Sequence, residues 1–138
     1  MSEPDALFRL AAAAASARTK AYAPYSHFSV GAAILGIDGH IYTGCNIENA
    51  AYPEGTCAEA GAVAHMVMAG VTTIAEIAVV GGPEGGAEIL CPPCGGCRQK
   101  LREFGGLSAK VHLRDTDGAI RTLTVEALLP VSFGPEHL

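Results

Sequence analysis

The chain has 138 residues, enough for one buried core and short for two, so residues 1–138 read as a single domain. Nine Lys and Arg against fourteen Asp and Glu leave a net charge of −5 with no basic stripe, which argues against a nucleic-acid partner and for a small, roughly neutral substrate. Hydrophobic residues make up 49% and charged ones only 17%, a balance that points to apolar area buried against further copies of the chain.

In chain order, "EPDALFRLAAAAASARTKAYA" (3–23) predicts a helix, with Pro4 and Asp5 suited to its first turn and an apolar stripe from Leu7 onward. Its alanine run is too short to span a bilayer, and "MSEPDALFR" is acidic where a secretory signal needs positive charge. A cytoplasmic protein with reduced thiols is expected, without a membrane partner; an odd count of five cysteines fits that reading. "APYSHF" breaks the helix. "FSVGAAILG" and "IYTGCN" predict a hairpin turning at "IDGH". After a loop, "CAEAGAVAHMVMAG" predicts a helix closed by Gly70, and "IAEIAVVGG" a buried strand. "GCRQKLREFGG" predicts another helix, followed by strands "SAKVHLR" and "AIRTLTV", a short helical turn "EALLP" and a tail. This order describes a three-layer α/β/α sandwich around a mixed five-stranded sheet.

"CPPCGGCRQK" (91–100) holds two overlapping Cys-x-x-Cys pairs and does not say which sulfurs matter. Cys57 and Cys94 each fall at a helix start, on the sheet edge where α/β folds build sites. Glu59 has two readings from its surroundings. "TCAE" fits a capping box with Thr56 as N-cap, and it equally fits a carboxylate two residues beyond a metal-binding cysteine. The combination separates them: "C-A-E" followed by "P-C-x-x-C" is the zinc-deaminase signature in its three-cysteine form. Pro93 precedes Cys94 whereas Leu90 precedes Cys91, which selects Cys57, Cys94 and Cys97 as ligands of one zinc ion per chain. Three ligands leave an open position, the mark of a catalytic site where water is activated. An uncoordinated carboxylate must then move the protons, which is the role for Glu59. Cys45 reads as a structural thiol and His65 as a satisfied histidine.

The stretches "YSHFSVGAAI", "GCNIENAAYPEGTCAE", "PPCGGCRQ" and "LLPVSFGPEHL" carry a resemblance over nearly the whole chain to the small, homotetrameric cytidine deaminases. The resemblance implies deamination of cytidine and 2′-deoxycytidine, a step of pyrimidine salvage. It implies that Asn46 and Glu48 hold the ribose, that Phe28 lines the pyrimidine pocket and that backbone around Ala58 contacts the base. It implies further that Ala50, Ala51, Tyr52 and Phe133 reach a neighbouring subunit's site. Residue type alone leaves Phe28 and Phe133 equally suited to a core, and Asn46 to an ordinary turn. Family members commonly carry Arg directly after "CAE", where this chain has Ala60. Three thiolates then lack a compensating cation, and Arg98, beside Cys97, is the expected substitute. The alternatives are a deaminase of a related aminopyrimidine nucleoside of the blasticidin-S type, a thiol–disulfide module, and a structural zinc module with Cys91 as fourth ligand.

Overall fold

The computed structural model describes residues 3–138; Met1 and Ser2, the start of the stretch read against a secretory signal, lie outside them. Nine elements other than two short 3-10 turns follow in order: α1 (Glu3–Arg18), β1 (Phe28–Gly36), β2 (Ile41–Cys45), α2 (Ala58–Met68), β3 (Ile74–Pro83), α3 (Gly95–Gly105), β4 (Lys110–Arg114), β5 (Ile120–Thr124) and α4 (Val125–Leu128). The sheet order is β2-β1-β3-β4-β5, and only β3 and β4 run parallel. That one parallel pair is joined by α3, as a crossover helix requires. The expected three-layer sandwich is the observed fold.

Strand alternation splits the core between the sheet's two faces. Ala32, Ile34, Ile77, Val79, Val111 and Leu113 pack with Ala62 and Met66 of α2 and Leu101 of α3. Ala33, Ala78 and Val80 face the other way, onto Leu10 and Ala14 of α1. Ile34, Met66, Ile77 and Leu101 are at most 1% exposed, and each such side chain contributes about 1.5–3 kcal/mol by leaving water.

α1 stops at Arg18, earlier than its alanine-rich pattern suggests. The cause is tertiary. The Arg18 guanidinium donates to Ser29 O (3.1 Å), Ser29 Oγ (2.9 Å) and Pro83 O (2.7 Å). Four residues on, Tyr22 N donates to Asn46 O (3.0 Å) and Glu48 N to Tyr22 O (2.8 Å), so the chain continues as a partner of the segment after β2. The β1–β2 hairpin turns as expected at Asp38–Gly39, where Gly39 takes φ 84°. Asp38 accepts from the Tyr42 hydroxyl (2.6 Å).

One glycine matters for the site. A Cβ on Gly44 would strike Ala58 O and Ala62 N of α2. Its absence lets the first turn of α2 lie directly on β2, and that contact fixes where Cys57 points.

Candidate active site

Cys57 is the N-cap of α2 (φ −71°, ψ 155°) and Cys94 the N-cap of α3 (φ −67°, ψ 171°); Cys97 is buried in the first turn of α3. Both helices therefore present their positive ends to the same corner. The three sulfurs lie within 4.8 Å of one another, with Cys57 and Cys94 Sγ 3.8 Å apart. Tetrahedral zinc with Zn–S near 2.3 Å sets its sulfurs ~3.8 Å apart, so the donor set fits that ion.

Glu59 stands beside this group, 4% exposed. The capping box is not formed. α2 begins one residue later than that pattern needs, because Thr56 is paired through its backbone with Ile47 (2.8 and 2.9 Å), leaving Cys57 as N-cap. Glu59 falls at the second helical position, its carboxyl held above the usual carboxylate range by burial.

Burial is also the largest influence on the thiols. It raises Cys57 and, with the Glu59 charge, Cys97. Cys94 is lowered: burial pushes it up, but the Cys97 backbone N–H and the thiols of Cys97 and Cys57 outweigh that push. A divalent cation placed among three such sulfurs converts them to thiolates. Cys91 is outside the group, its thiol pushed up to about 11 by burial and the nearby Glu59. It packs against Gly81, where an added Cβ would lie 2.8 Å from its sulfur. All five cysteines are free thiols, so neither Cys-x-x-Cys pair is closed.

Arg98 takes a different place from the one expected. Its Nε donates to Pro93 O (2.8 Å) and its Nη1 to Leu128 O (2.7 Å), so its bonds go to carbonyls rather than to sulfur. It fixes the peptide immediately before Cys94.

The family model for the cytidine and deoxycytidylate deaminase zinc-binding region matches residues 2–113. The chain belongs to this family. The cytidine deaminase of Sporosarcina psychrophila is 46% identical over 130 residues, covering 94% of this chain and 93% of that one. That of Mycobacterium tuberculosis is 39% identical over 125 residues, covering 91% and 87%. The crystal structure of cytidine deaminase from Burkholderia pseudomallei superposes with a TM-score of 0.84 at 41% identity, covering 96% of this chain and 100% of that one.

In this deaminase a cavity of about 340 Å³ is lined by Tyr25, Ser26, Glu48, Asn49, Tyr52 and Gly55. Gly55, in its wall, stands two residues before Cys57 in the chain. Glu48 accepts from Tyr25 N (3.0 Å), Ser26 N (3.1 Å) and the Ser26 hydroxyl, and those bonds, the hydroxyl's foremost, lower its carboxyl. Asn46 is not among the residues lining this cavity. Its Oδ1 accepts from Val30 N (2.8 Å) and its Nδ2 donates to Phe28 O (2.9 Å), strapping the start of β1. Phe28 is half-buried and in neither core cluster. Ala50 and Ala51 are exposed, and Tyr52 is exposed except for an edge contact with Tyr25 at 6.0 Å. Phe133 is 58% exposed, which rules out the core-plug reading. Ala58 is fully buried at the start of α2.

Sequence reasoning did not single out Tyr25 and Ser26, although both stand in the matching stretch "YSHFSVGAAI". Their role depends on backbone N–H groups turned toward Glu48, which no residue pattern displays.

Proposed function

We propose that the protein deaminates cytidine and 2′-deoxycytidine hydrolytically, giving the uridine counterparts and ammonia. The observation that carries this reading is the buried Glu59 beside three sulfurs set at zinc spacing. Cys57, Cys94 and Cys97 would hold one zinc ion, which when bound would supply the Lewis acidity that makes water nucleophilic near neutral pH. Glu59 does the proton work. Its carboxylate takes a proton from the water that adds to C4 and hands it to the adjacent ring nitrogen. It then takes the remaining proton from the new C4 hydroxyl and gives it to the amine, which leaves as ammonia as the C4–N bond breaks and C4=O forms. Burial suits it to this exchange by bringing its carboxyl up toward the working pH.

The substrate contacts belong to the same proposal. Glu48, with lone pairs to spare beyond its three donors, binds the ribose, while Asn46 shares the ribose contact with its hold on β1. Phe28 walls the pyrimidine, and backbone around Ala58 meets the base. Ala50, Ala51, Tyr52 and Phe133 face outward and serve the site of a neighbouring subunit in a homotetramer. Arg98 acts as a positioning residue, offsetting the missing Arg through the loop that carries Cys94. We place the enzyme in the cytoplasm, in pyrimidine salvage, as one catalytic domain over residues 1–138. Among the described residues no helix is long and apolar enough to cross a membrane.

The test is product formation by the zinc-loaded protein from cytidine, 2′-deoxycytidine and a blasticidin-S-type aminopyrimidine. Ammonia and uridine in equal amounts support the reading. Turnover of the aminopyrimidine alone would favour the related nucleoside deaminase instead.

A further inference from the structure

The chemistry above leaves one buried cation unused. Arg102, on α3 one turn past Arg98, is 7% exposed. Its guanidinium serves the C-terminal tail. Nε donates to Ser132 Oγ (2.5 Å), Nη2 to Ser132 O (3.4 Å) and to Glu136 Oε1, and Nη1 to Glu136 Oε2 (3.4 Å). Two neighbours on the helix join in: Gln99 Nε2 donates to Phe133 O (2.9 Å) and Arg98 Nη1 to Leu128 O (2.7 Å).

Terminal segments are ordinarily loose unless something ties them down. Here the guanidinium lies directly against the tail backbone. A Cβ on Gly134 would collide with the Arg102 guanidinium, so any other residue there has to push that group off its tail contacts. The tail also holds Val131 at φ 51°, fully exposed, a conformation a β-branched residue avoids unless its surroundings impose it.

The product of this clamp is a presented ring. Phe133 stacks on His137 at 5.0 Å, and His137 Nδ1 accepts from Gly134 N (2.9 Å). No tail residue lines the chain's own cavity beside Glu48; the tail borders a separate hollow with Arg102, Glu126 and Leu129. The cavity in turn keeps an open aromatic rim, with Tyr25 48% and Tyr52 75% exposed. A fixed aromatic arm without a use in its own chain, and an aromatic rim without a cover, are complementary parts of two copies.

We propose that Arg102 is a positioning residue for catalysis: through Ser132 and Glu136 it sets the tail so that Phe133 enters the nucleoside site of a second copy of this chain. α3 starts from Cys94 and carries Cys97 and Arg102, so the clamp and two of the candidate metal ligands sit on one helix and keep a fixed register. The proposal rests on the reading that Phe133 completes a neighbour's site, and adds the device that aims it.

The experiment uses zinc-loaded Arg102→Ala and Glu136→Ala proteins, each also co-expressed with Glu59→Gln chains under a second tag and purified as hybrids. Each single variant is expected to lose roughly tenfold or more in kcat/KM for cytidine, mostly through KM, with zinc per chain unchanged. In the hybrids, Glu59→Gln chains lack their own chemistry but lend a correctly set arm, so turnover per Arg102→Ala chain rises well above that of Arg102→Ala alone. Should Arg102→Ala fail to fold, Glu136→Ala carries the same comparison, since that side chain is 57% exposed. Kinetics within twofold of the unaltered protein would overturn the proposal, and so would hybrids no more active than their Arg102→Ala or Glu136→Ala share. If the unaltered protein leaves cytidine untouched, the substrate reading fails separately. The clamp is then judged by sedimentation: weaker self-association of both variants supports it, and unchanged association overturns it.

Discussion

The metal corner and the cavity rim lie within a few residues of each other and are built in opposite ways. The corner is finished inside one chain. Its sulfurs converge because two helix starts are held by backbone contact, α2 on Gly44 and the Cys94 loop by Arg98 on Pro93 O. The rim is open: Tyr25 and Tyr52 stand exposed, and Glu48 is held by N–H groups of a loop. Chemistry that must exclude water calls for a buried, rigid corner, while under the proposed function the open rim is the side left for substrate and a second copy to complete.

This contrast can be broken from either side. The largest effect belongs to Glu59→Gln. It removes the proton carrier and nothing structural, so kcat should fall by roughly 10²–10⁴ with zinc content intact, checked by steady-state turnover and metal analysis. A fall accompanied by zinc loss would mean that Glu59 helps build the corner. Gly44→Ala comes next. Its methyl meets the backbone of Ala58 and Ala62. We expect about 1–3 kcal/mol of lost stability in chemical denaturation, with weaker zinc retention as α2 is pushed off β2. Equal stability with full zinc would show that α2 is not held there. The smallest effect is at the rim. Glu48→Ala should raise KM for cytidine about tenfold, in keeping with the loss of a charged hydrogen bond, and leave the denaturation midpoint nearly unchanged. A large stability loss there would erase the distinction between the two regions.

Much of the corner was legible in the residues. Cys57, Cys94 and Cys97 are marked by spacing and by Pro93, and the element order gave the three layers. What escaped depends on long-range bonds to backbone. α1 reads as helical to residue 23 because alanine favours it, yet Arg18 and Tyr22 are claimed by strands far along the chain. Thr56 reads as a cap because its pairing with Ile47 leaves no trace in composition. Arg98 reads as the cation that compensates three thiolates, and the sequence leaves no trace of its bonds to two carbonyls. Arg102 carries no mark in the sequence, because its partners Ser132 and Glu136 lie far along the chain.

The central claim is that three sulfurs, and only three, hold the metal and leave a position for chemistry. X-ray absorption at the zinc edge on the protein as purified tests it most directly. The expected result is one zinc per chain with three sulfur neighbours and one oxygen or nitrogen, a pattern kept in Cys91→Ser and lost in Cys94→Ser. Four sulfur neighbours, or a spectrum changed by Cys91→Ser, would contradict it.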